Sequence, residues 1–401
     1  MKKEINKHKK NKQNIFLYRI LQFLAWFVAI FVFKRKFLRN EIRGKKGPFV
    51  IIANHGSSID FMPLCVAVKR RAHFVISNAF YSSLPIQPLL NSAGVIPKNQ
   101  FQTSVSEMRA MKNVLDNEMP LVLYPAGLMT ENGIGTPIPL ATGKTLKWFG
   151  KDVYVAKSFG VYFSHPKWAK KWRTGKVSLD VYKLFDKDEL VNLSEEELQK
   201  TIEEHLSFDE YAIQKEKKIA FHGGDSVKGL ENVLYKCPNC KKEFTFSVKE
   251  KSKLTCENCG YTVKSDKYGL FNSNSEKEIV FDTVSDWFRW IEKEAKQEIS
   301  QENFLLSSKA ELYMINHKKH CFDKKGECDI TLDNKEFVID GSKYNLDIKK
   351  SFATKIFPIL PFKPGRSFDL QEGREIYRIE LENGKETIKW ITCLREIYKN
   401  L

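Results

Sequence analysis

Phe49-Val50-Ile51-Ile52-Ala53-Asn54-His55-Gly56-Ser57-Ser58-Ile59-Asp60 runs from an unbroken apolar stretch into a His and an Asp separated by four residues. A short apolar run of this kind reads as a buried strand, and the polar residues then sit at its end. An imidazole with a pKa near neutrality can take a proton from a hydroxyl. A carboxylate bonded to the other ring nitrogen fixes the tautomer. The small residues between His55 and Asp60 let both side chains share one turn of chain. Taken alone, the pair also fits an ordinary structural contact, so the surrounding sequence has to decide.

Upstream, Ile15–Phe33 is apolar apart from Arg19 and Gln22, with His8-Lys9-Lys10-Asn11-Lys12 before it and Lys34-Arg35-Lys36 after it. No small-residue cleavage site follows, which argues against a signal peptide. Nineteen residues just reach across a bilayer. Positive charge at both ends conflicts with the orientation rule for a spanning helix. The expectation is a membrane-associated helix lying in the cytoplasmic leaflet, its lysines against anionic headgroups. The net charge of +17 suits an anionic partner, either a membrane surface or a nucleic acid.

Downstream, apolar runs at Phe49–Ala53, His73–Ser77, Leu121–Tyr124 and Val153–Ala156 alternate with helical stripes, as in an α/β domain. Val105, Met108, Met111 and Leu115 form one stripe. Ser194 and Glu197 make a capping box ahead of Leu198, Ile202 and Leu206. Residues 1–40 are read as a basic N-terminus with the membrane-associated helix, and 41–212 as the α/β domain. A polar, Gly-bearing linker at 213–232 follows.

Of eight cysteines, four form Cys237-Pro-Asn-Cys240 and Cys256-Glu-Asn-Cys259-Gly260. Two such knuckles make a four-thiolate tetrahedral site, so 233–268 is read as a zinc ribbon with a structural zinc. Four protein ligands leave no open position for catalysis. Residues 275–401 read as a β-rich C-terminal domain, pleckstrin-homology-like in its pattern. It has a helix from Val284 and runs at Glu311–Ile315, Cys328–Leu332, Phe337–Asp340, Tyr344–Ile348, Ser367–Leu370 and Ile376–Leu381. A tight turn at Asn383-Gly384 and a closing helix at Lys385–Tyr398 complete it. His317, His320, Cys321 and Cys328 lack knuckle spacing and read as a solvated hairpin.

Three further blocks follow His55 and Asp60 in order: Gly94-Val95-Ile96-Pro97-Lys98, Tyr124-Pro125-Ala126-Gly127-Leu128-Met129-Thr130, and Val153-Tyr154-Val155-Ala156. Over roughly residues 35–210 this arrangement resembles the glycerolipid (1-acylglycerol-3-phosphate type) acyltransferase family. The resemblance implies an α/β acyltransferase domain that moves an acyl group from acyl-CoA or acyl carrier protein to a lysophospholipid or glycerolipid-like hydroxyl. It makes His55 the general base and Asp60 its orienting acid. It places Asn54, Lys98, Gly127 and Thr130 among the substrate-binding residues, Lys98 where the family has a phosphate-binding Arg. The third block departs from the pattern, with Ala126 for the family's Glu and Met129 for its Arg. Glu131 and Lys144 are candidates to replace those charges; the alternative is a catalytically impaired lipid-binding scaffold of the same fold. Expected partners are membrane lipids, the thioester donor and a protein bound through the ribbon or C-terminal domain. No nucleic acid is expected, because few aromatics (Phe244, Phe246, Tyr261) accompany the ribbon's lysines.

Overall fold

The computed structural model describes residues 13–82, 86–99, 104–224, 226–273, 281–319, 321–357 and 360–400. The basic residues of the first dozen positions and His320 lie outside the described residues. The chain folds into two compact units. The first holds residues up to Pro166, Arg173–Glu210 and Ile219–His222; the second holds Lys167–Trp172, Tyr211–Lys218 and Gly223 onward.

The first unit opens with helix α1 (Ile15–Phe31). Its strands are β1 (Lys36–Asn40), β2 (Val50–Ala53), β3 (His73–Ser77), β4 (Ile96–Lys98), β5 (Leu121–Leu123), β6 (Val153–Phe159), β7 (Thr174–Gly175), β8 (Ser178–Phe185) and β9 (Phe221–His222). Seven of them form one sheet in the order β1-β8-β6-β2-β5-β3-β4. The pairings β2–β5, β2–β6, β3–β5 and β3–β4 are all parallel, while β8 runs antiparallel to β6. All four β2 residues are buried. Val50 and Ile52 join one core cluster, with Met111, Leu146 and Ile202 of the covering helices, and Ile51 and Ala53 join the other. A sheet covered on both faces requires continuous rather than alternating hydrophobicity in its central strands. The Phe49–Ala53 run meets that requirement.

Helix α2 (Phe61–Ala67) follows the His–Asp turn and packs against α1. Tyr18, Ala25 and Ala29 are the buried residues of α1, and the small alanines permit close approach. Gln22 Nε2 donates to the carbonyls of Cys65 and Val68 at 3.0 Å, and Arg19 Nη1 to Lys69 O at 3.1 Å, so α1 satisfies the open C-terminal carbonyls of α2. Phe16, Phe23, Leu24, Phe27 and Phe31 of α1 are exposed. Among the described residues no helix is long and apolar enough to cross a membrane.

The expected capping box is present: Ser194 Oγ accepts from Glu197 N at 3.2 Å, and Ser194 N donates to Glu197 Oε2 at 2.9 Å. The stretch 213–232, expected as a linker, is partly folded. Helix Glu210–Lys217 runs into it, β9 lies within it, and a 3-10 turn spans Leu230–Asn232. Tyr211 and Gln214 anchor that helix by being buried, which a polar composition does not announce.

In the second unit, β10 (Phe246–Glu250), β11 (Lys253–Cys256), β12 (Thr262–Ser265) and β13 (Phe271–Ser273) form an antiparallel sheet around the cysteine knuckles. Its aromatic residues converge on Trp287 of helix Val284–Ile299. Phe246, Tyr261 and Phe271 lie edge-on to the indole, with centroids 5.2, 6.0 and 6.1 Å away. The indole Nε1 donates to Lys236 O at 3.1 Å. Phe246 and Tyr261 are therefore core residues and present no stacking face to a nucleic acid base.

A second seven-stranded sheet is built from β14 (Leu306–Asn316), β15 (Cys321–Leu332), β16 (Glu336–Asp340), β17 (Lys349–Ala353), β18 (Phe362–Lys363), β19 (Ser367–Glu372) and β20 (Glu375–Leu381), followed by helix Thr387–Lys399. Its order is β17-β16-β15-β14-β20-β19-β18. Tyr344–Ile348, expected as a strand, is instead a reversal. A 3-10 turn at Ser342–Tyr344 ends at Asn345 with φ 56°, and Gly341 N donates to Ile348 O at 2.9 Å. The strand begins only at Lys349. Asn383-Gly384 makes the expected tight turn, a 3-10 turn that leads into the last helix. Cys321 and Cys328 stand at opposite ends of a seven-residue step along β15, one exposed and one buried, roughly 24 Å of extended chain. These two do not come together around an ion.

Candidate active site and metal centre

Because β2, β3, β4, β5 and β6 are parallel, their carboxyl ends share one edge of the sheet, the edge at which open α/β sheets hold ligands. His55 follows β2, Tyr124 through Thr130 follow β5, and Lys98 ends β4. Blocks far apart in the sequence thus meet along one edge.

His55 Nδ1 lies 2.9 Å from Asp60 Oδ2, and the same carboxylate oxygen accepts from Ser57 N at 3.0 Å. Asp60 is almost wholly buried, its side chain 2% exposed, while that of His55 is 20% exposed. A carboxylate can only accept, so against it a neutral imidazole would donate from Nδ1 and present a lone pair on Nε2. Nε2 has no hydrogen-bond partner among the described residues. The geometry is that of a base whose tautomer is fixed and whose reactive nitrogen is open to a substrate.

Asn54 fastens this turn. Its Nδ2 donates to Ser158 O at 2.9 Å, and its Oδ1 accepts from Ser158 N at 2.8 Å, which ties the end of β2 to β6. Both polar atoms are engaged, so Asn54 secures the turn. Thr130 is likewise turned inward: it is 1% exposed, and its hydroxyl donates to Asn132 Oδ1 and accepts from Gly133 N. Its backbone N donates to His55 O at 3.2 Å. Both residues, placed by the family resemblance among the substrate-binding set, brace the loops that flank His55.

Gly127 is exposed, with φ 68°, a left-handed conformation natural only to glycine. Lys98 is half-buried, donates to Asn99 O at 3.1 Å, and burial lowers its pKa against the opposing pull of Glu107. It stands three strand positions from β2, roughly 14 Å along the edge. The backbone of Lys98 is thus well separated from that of His55 along the edge. Glu131 is buried at 1% exposure, and Lys144 is exposed on helix Ala141–Phe149, 3.9 Å from Glu195.

Tyr124 is a site residue that motif reading passed over. Its ring lies 4.6 Å from the His55 ring, centroid to centroid. Its hydroxyl is buried without a hydrogen-bond partner, as is Asp60 Oδ1. Burial, reinforced by the Asp60 charge, raises its pKa well above the ordinary phenol value. An unpaired buried hydroxyl destabilises by about 1–3 kcal/mol. Tyr124→Phe is therefore expected to raise stability by about 1 kcal/mol, seen as a higher urea midpoint at unchanged slope. A lower midpoint would instead mean that water joins this hydroxyl to Asp60.

The four knuckle cysteines form a second centre. Their sulfurs all lie within 4.8 Å of one another, with Cys237–Cys259 and Cys240–Cys256 at 3.8 Å. A tetrahedral ion with metal–sulfur bonds of about 2.3 Å sets sulfurs about 3.8 Å apart, so the cluster can hold a metal. Asn239 Nδ2 donates to Cys259 Sγ at 3.4 Å, and Thr245 Oγ1 lies 3.1 Å from Cys256 Sγ. Burial raises the Cys259 pKa but is outweighed by bonds from Asn239 and the Tyr261 backbone, leaving it at about 6. Gly260, with φ 72°, turns the second knuckle; in the first, Lys241 adopts φ 62° at the equivalent place.

Among solved structures, the 1-acyl-sn-glycerophosphate (LPA) acyltransferase PlsC from Thermotoga maritima is similar at 19% identity, over 50% of this chain and 79% of that one, with a TM-score of 0.41. The family model described as Acyltransferase matches residues 29–148. Those residues include His55, Asp60, Lys98 and the block after β5. That match agrees, over those residues, with the acyltransferase resemblance drawn from the sequence blocks.

Proposed function

We propose that the chain transfers an acyl group from a thioester, acyl-CoA or acyl carrier protein, to the hydroxyl of a lysophospholipid or related glycerolipid at a membrane surface. The observation that carries this reading is the His55–Asp60 pair with its open Nε2 at the carboxyl edge of the sheet. Nε2 takes the proton of the acceptor hydroxyl as its oxygen attacks the thioester carbonyl carbon. The tetrahedral intermediate collapses, the carbon–sulfur bond breaks, and the departing thiolate recovers the proton from the imidazolium. Asp60 holds the ring and stabilises its charged form. Lys98 offers a point charge to an acceptor phosphate without the two-pronged grip of an arginine.

Membrane association is supported by α1. About 26 Å long at 1.5 Å per residue, it is short of a full crossing. Its exposed Phe16, Phe23, Phe27 and Phe31 are an apolar surface that water does not suit. A helix lying in the cytoplasmic leaflet would bury them. The knuckle cysteines are read as a structural zinc site, closed by its four thiolates. The strand order of the last seven strands with a helix after them supports a pleckstrin-homology type for this domain, and the ribbon or this domain is where a protein partner would dock.

The test is acyl transfer from labelled acyl-CoA and acyl carrier protein to a panel of lysophospholipids and neutral acceptors. Label in a lipid product is expected. Asp60→Asn should lower turnover by about 10⁴, since it keeps the shape of the pair but loses the tautomer and charge control. Unchanged turnover in that variant would remove the pair from the mechanism. No labelled lipid with any acceptor would favour a lipid-binding scaffold, to which the missing charges at Ala126 and Met129 already point.

A further inference from the structure

We propose that the groove between α1 and β1 is a binding site for the phosphate headgroup of an anionic bilayer lipid, separate from the reacting substrates. The inference rests on the reading that the chain works at a membrane surface. The groove has a volume of about 770 Å³. Its lining includes five cations, Arg19, Arg35, Arg39, Arg43 and Lys69, and no carboxylate. Neither His55 nor Asp60 contributes to it, and β1 is the edge strand on the far side of β8 and β6 from β2.

Of the five cations only Arg39 is neutralised, by paired bonds of 2.9 Å to Asp180 and a looser contact of 3.8 Å with Glu41. Arg19, Arg35, Arg43 and Lys69 form no ion pair among the described residues. Arg35 is the most telling. Its Nε and Nη1 are buried without a hydrogen-bond partner, and its guanidinium stands 4.3 Å over the Phe37 ring. Burial lowers its pKa, yet a guanidinium starts so high that it stays charged. A partly buried cation without a counter-charge is unfavourable, and an anion entering the groove relieves it.

The rim identifies the source of that anion. Phe23 and Trp26 of α1 stack at 5.7 Å and line the same groove, both exposed. They continue into the apolar surface of Phe16, Phe27 and Phe31. Tryptophan beside cations, next to an apolar helix face, matches the boundary between headgroup and acyl chain. A lipid fits this arrangement with its phosphate among the arginines and its chains along α1. A soluble phosphate would use the cations alone.

The experiment compares binding of the full chain to phosphatidylcholine vesicles with and without phosphatidylglycerol. The wild type is measured against Arg35→Gln and Arg43→Glu, all retaining the basic N-terminus. Each variant should bind phosphatidylglycerol vesicles at least about fivefold more weakly, with binding to pure phosphatidylcholine unchanged. Arg43 is exposed, so its variant guards against a folding defect in the other, and thermal unfolding checks both. Equal weakening on both vesicle types, or none, overturns the headgroup site. So would displacement of the wild type from vesicles by inorganic phosphate or coenzyme A, together with a raised KM for acyl-CoA in Arg35→Gln. If the wild type binds neither vesicle, the membrane reading fails first. Acyl transfer measured in detergent micelles should be equal in all three proteins, so loss of the headgroup site and loss of the acyltransferase reading give different results.

Discussion

His55→Ala is expected to reduce acyl transfer by a factor on the order of 10⁴, with thioester binding nearly intact. General-base catalysis contributes about 10²–10⁴, and removing the base of a His–acid unit sits at the top of that range or above it. In barrier terms this is about 5.5 kcal/mol. Few side effects should blur the result. The ring makes one strong polar bond, to Asp60, and its side chain is 20% exposed, so truncation opens no large cavity. The buried Asp60 would keep its bond from Ser57 N. Initial rates at saturating donor, with the unfolding midpoint measured alongside, separate chemistry from stability. A variant that folds normally and retains more than about a tenth of the activity would show that another group takes the proton.

Metal removal should be the largest change in stability. Four-thiolate zinc sites in small domains supply apparent binding energies of about 10–16 kcal/mol, most of it expressed as folding. The sheet of β10 to β13 is small and has little core beyond Phe246, Leu254, Val263 and Phe271 around Trp287. Stripping the ion with a strong chelator, or replacing Cys237 and Cys256 together by Ser, is expected to abolish the metal content of the chain. Lys249, Lys251 and Lys253 would then become open to trypsin, and the near-ultraviolet signal of the packed indole would fall. A metal-free chain that keeps that signal and resists cleavage would mean that the aromatic cluster folds the ribbon unaided.

The strands beside the catalytic turn were legible because they are buried on both faces, and burial on both faces leaves an unbroken apolar run such as Val50–Ala53. The knuckles were legible for a different reason: ligand geometry dictates their spacing. Where local sequence misled, a single residue decided the outcome. Asn345 in a left-handed conformation converts Tyr344–Ile348 from a strand into a reversal. Asn54 and Thr130 lie in the right blocks, but block membership does not tell which atoms are already bonded. The Tyr124 hydroxyl was invisible in sequence, since a tyrosine at the end of a strand reads as core until its oxygen is seen buried without a partner. The groove cations are drawn from α1, β1 and its flanks, and the end of α2, so no motif connects them.

The fastening of His55 bears on how such a protein changes its diet. The side chains that fix the base belong to Asp60 and to Asn54, clasped to β6, and the loop after β5 contributes the Tyr124 ring and the backbone of Thr130. Ala126 and Met129 take no share in this scaffolding. Under the proposed mechanism, a carboxylate and a guanidinium placed at these two positions would leave the bonds of His55 and Asn54 unbroken. If the proposed reaction holds, acceptor preference could change at Ala126 and Met129 while the His55–Asp60 pair is kept, and a protein engineer could make the same exchange deliberately.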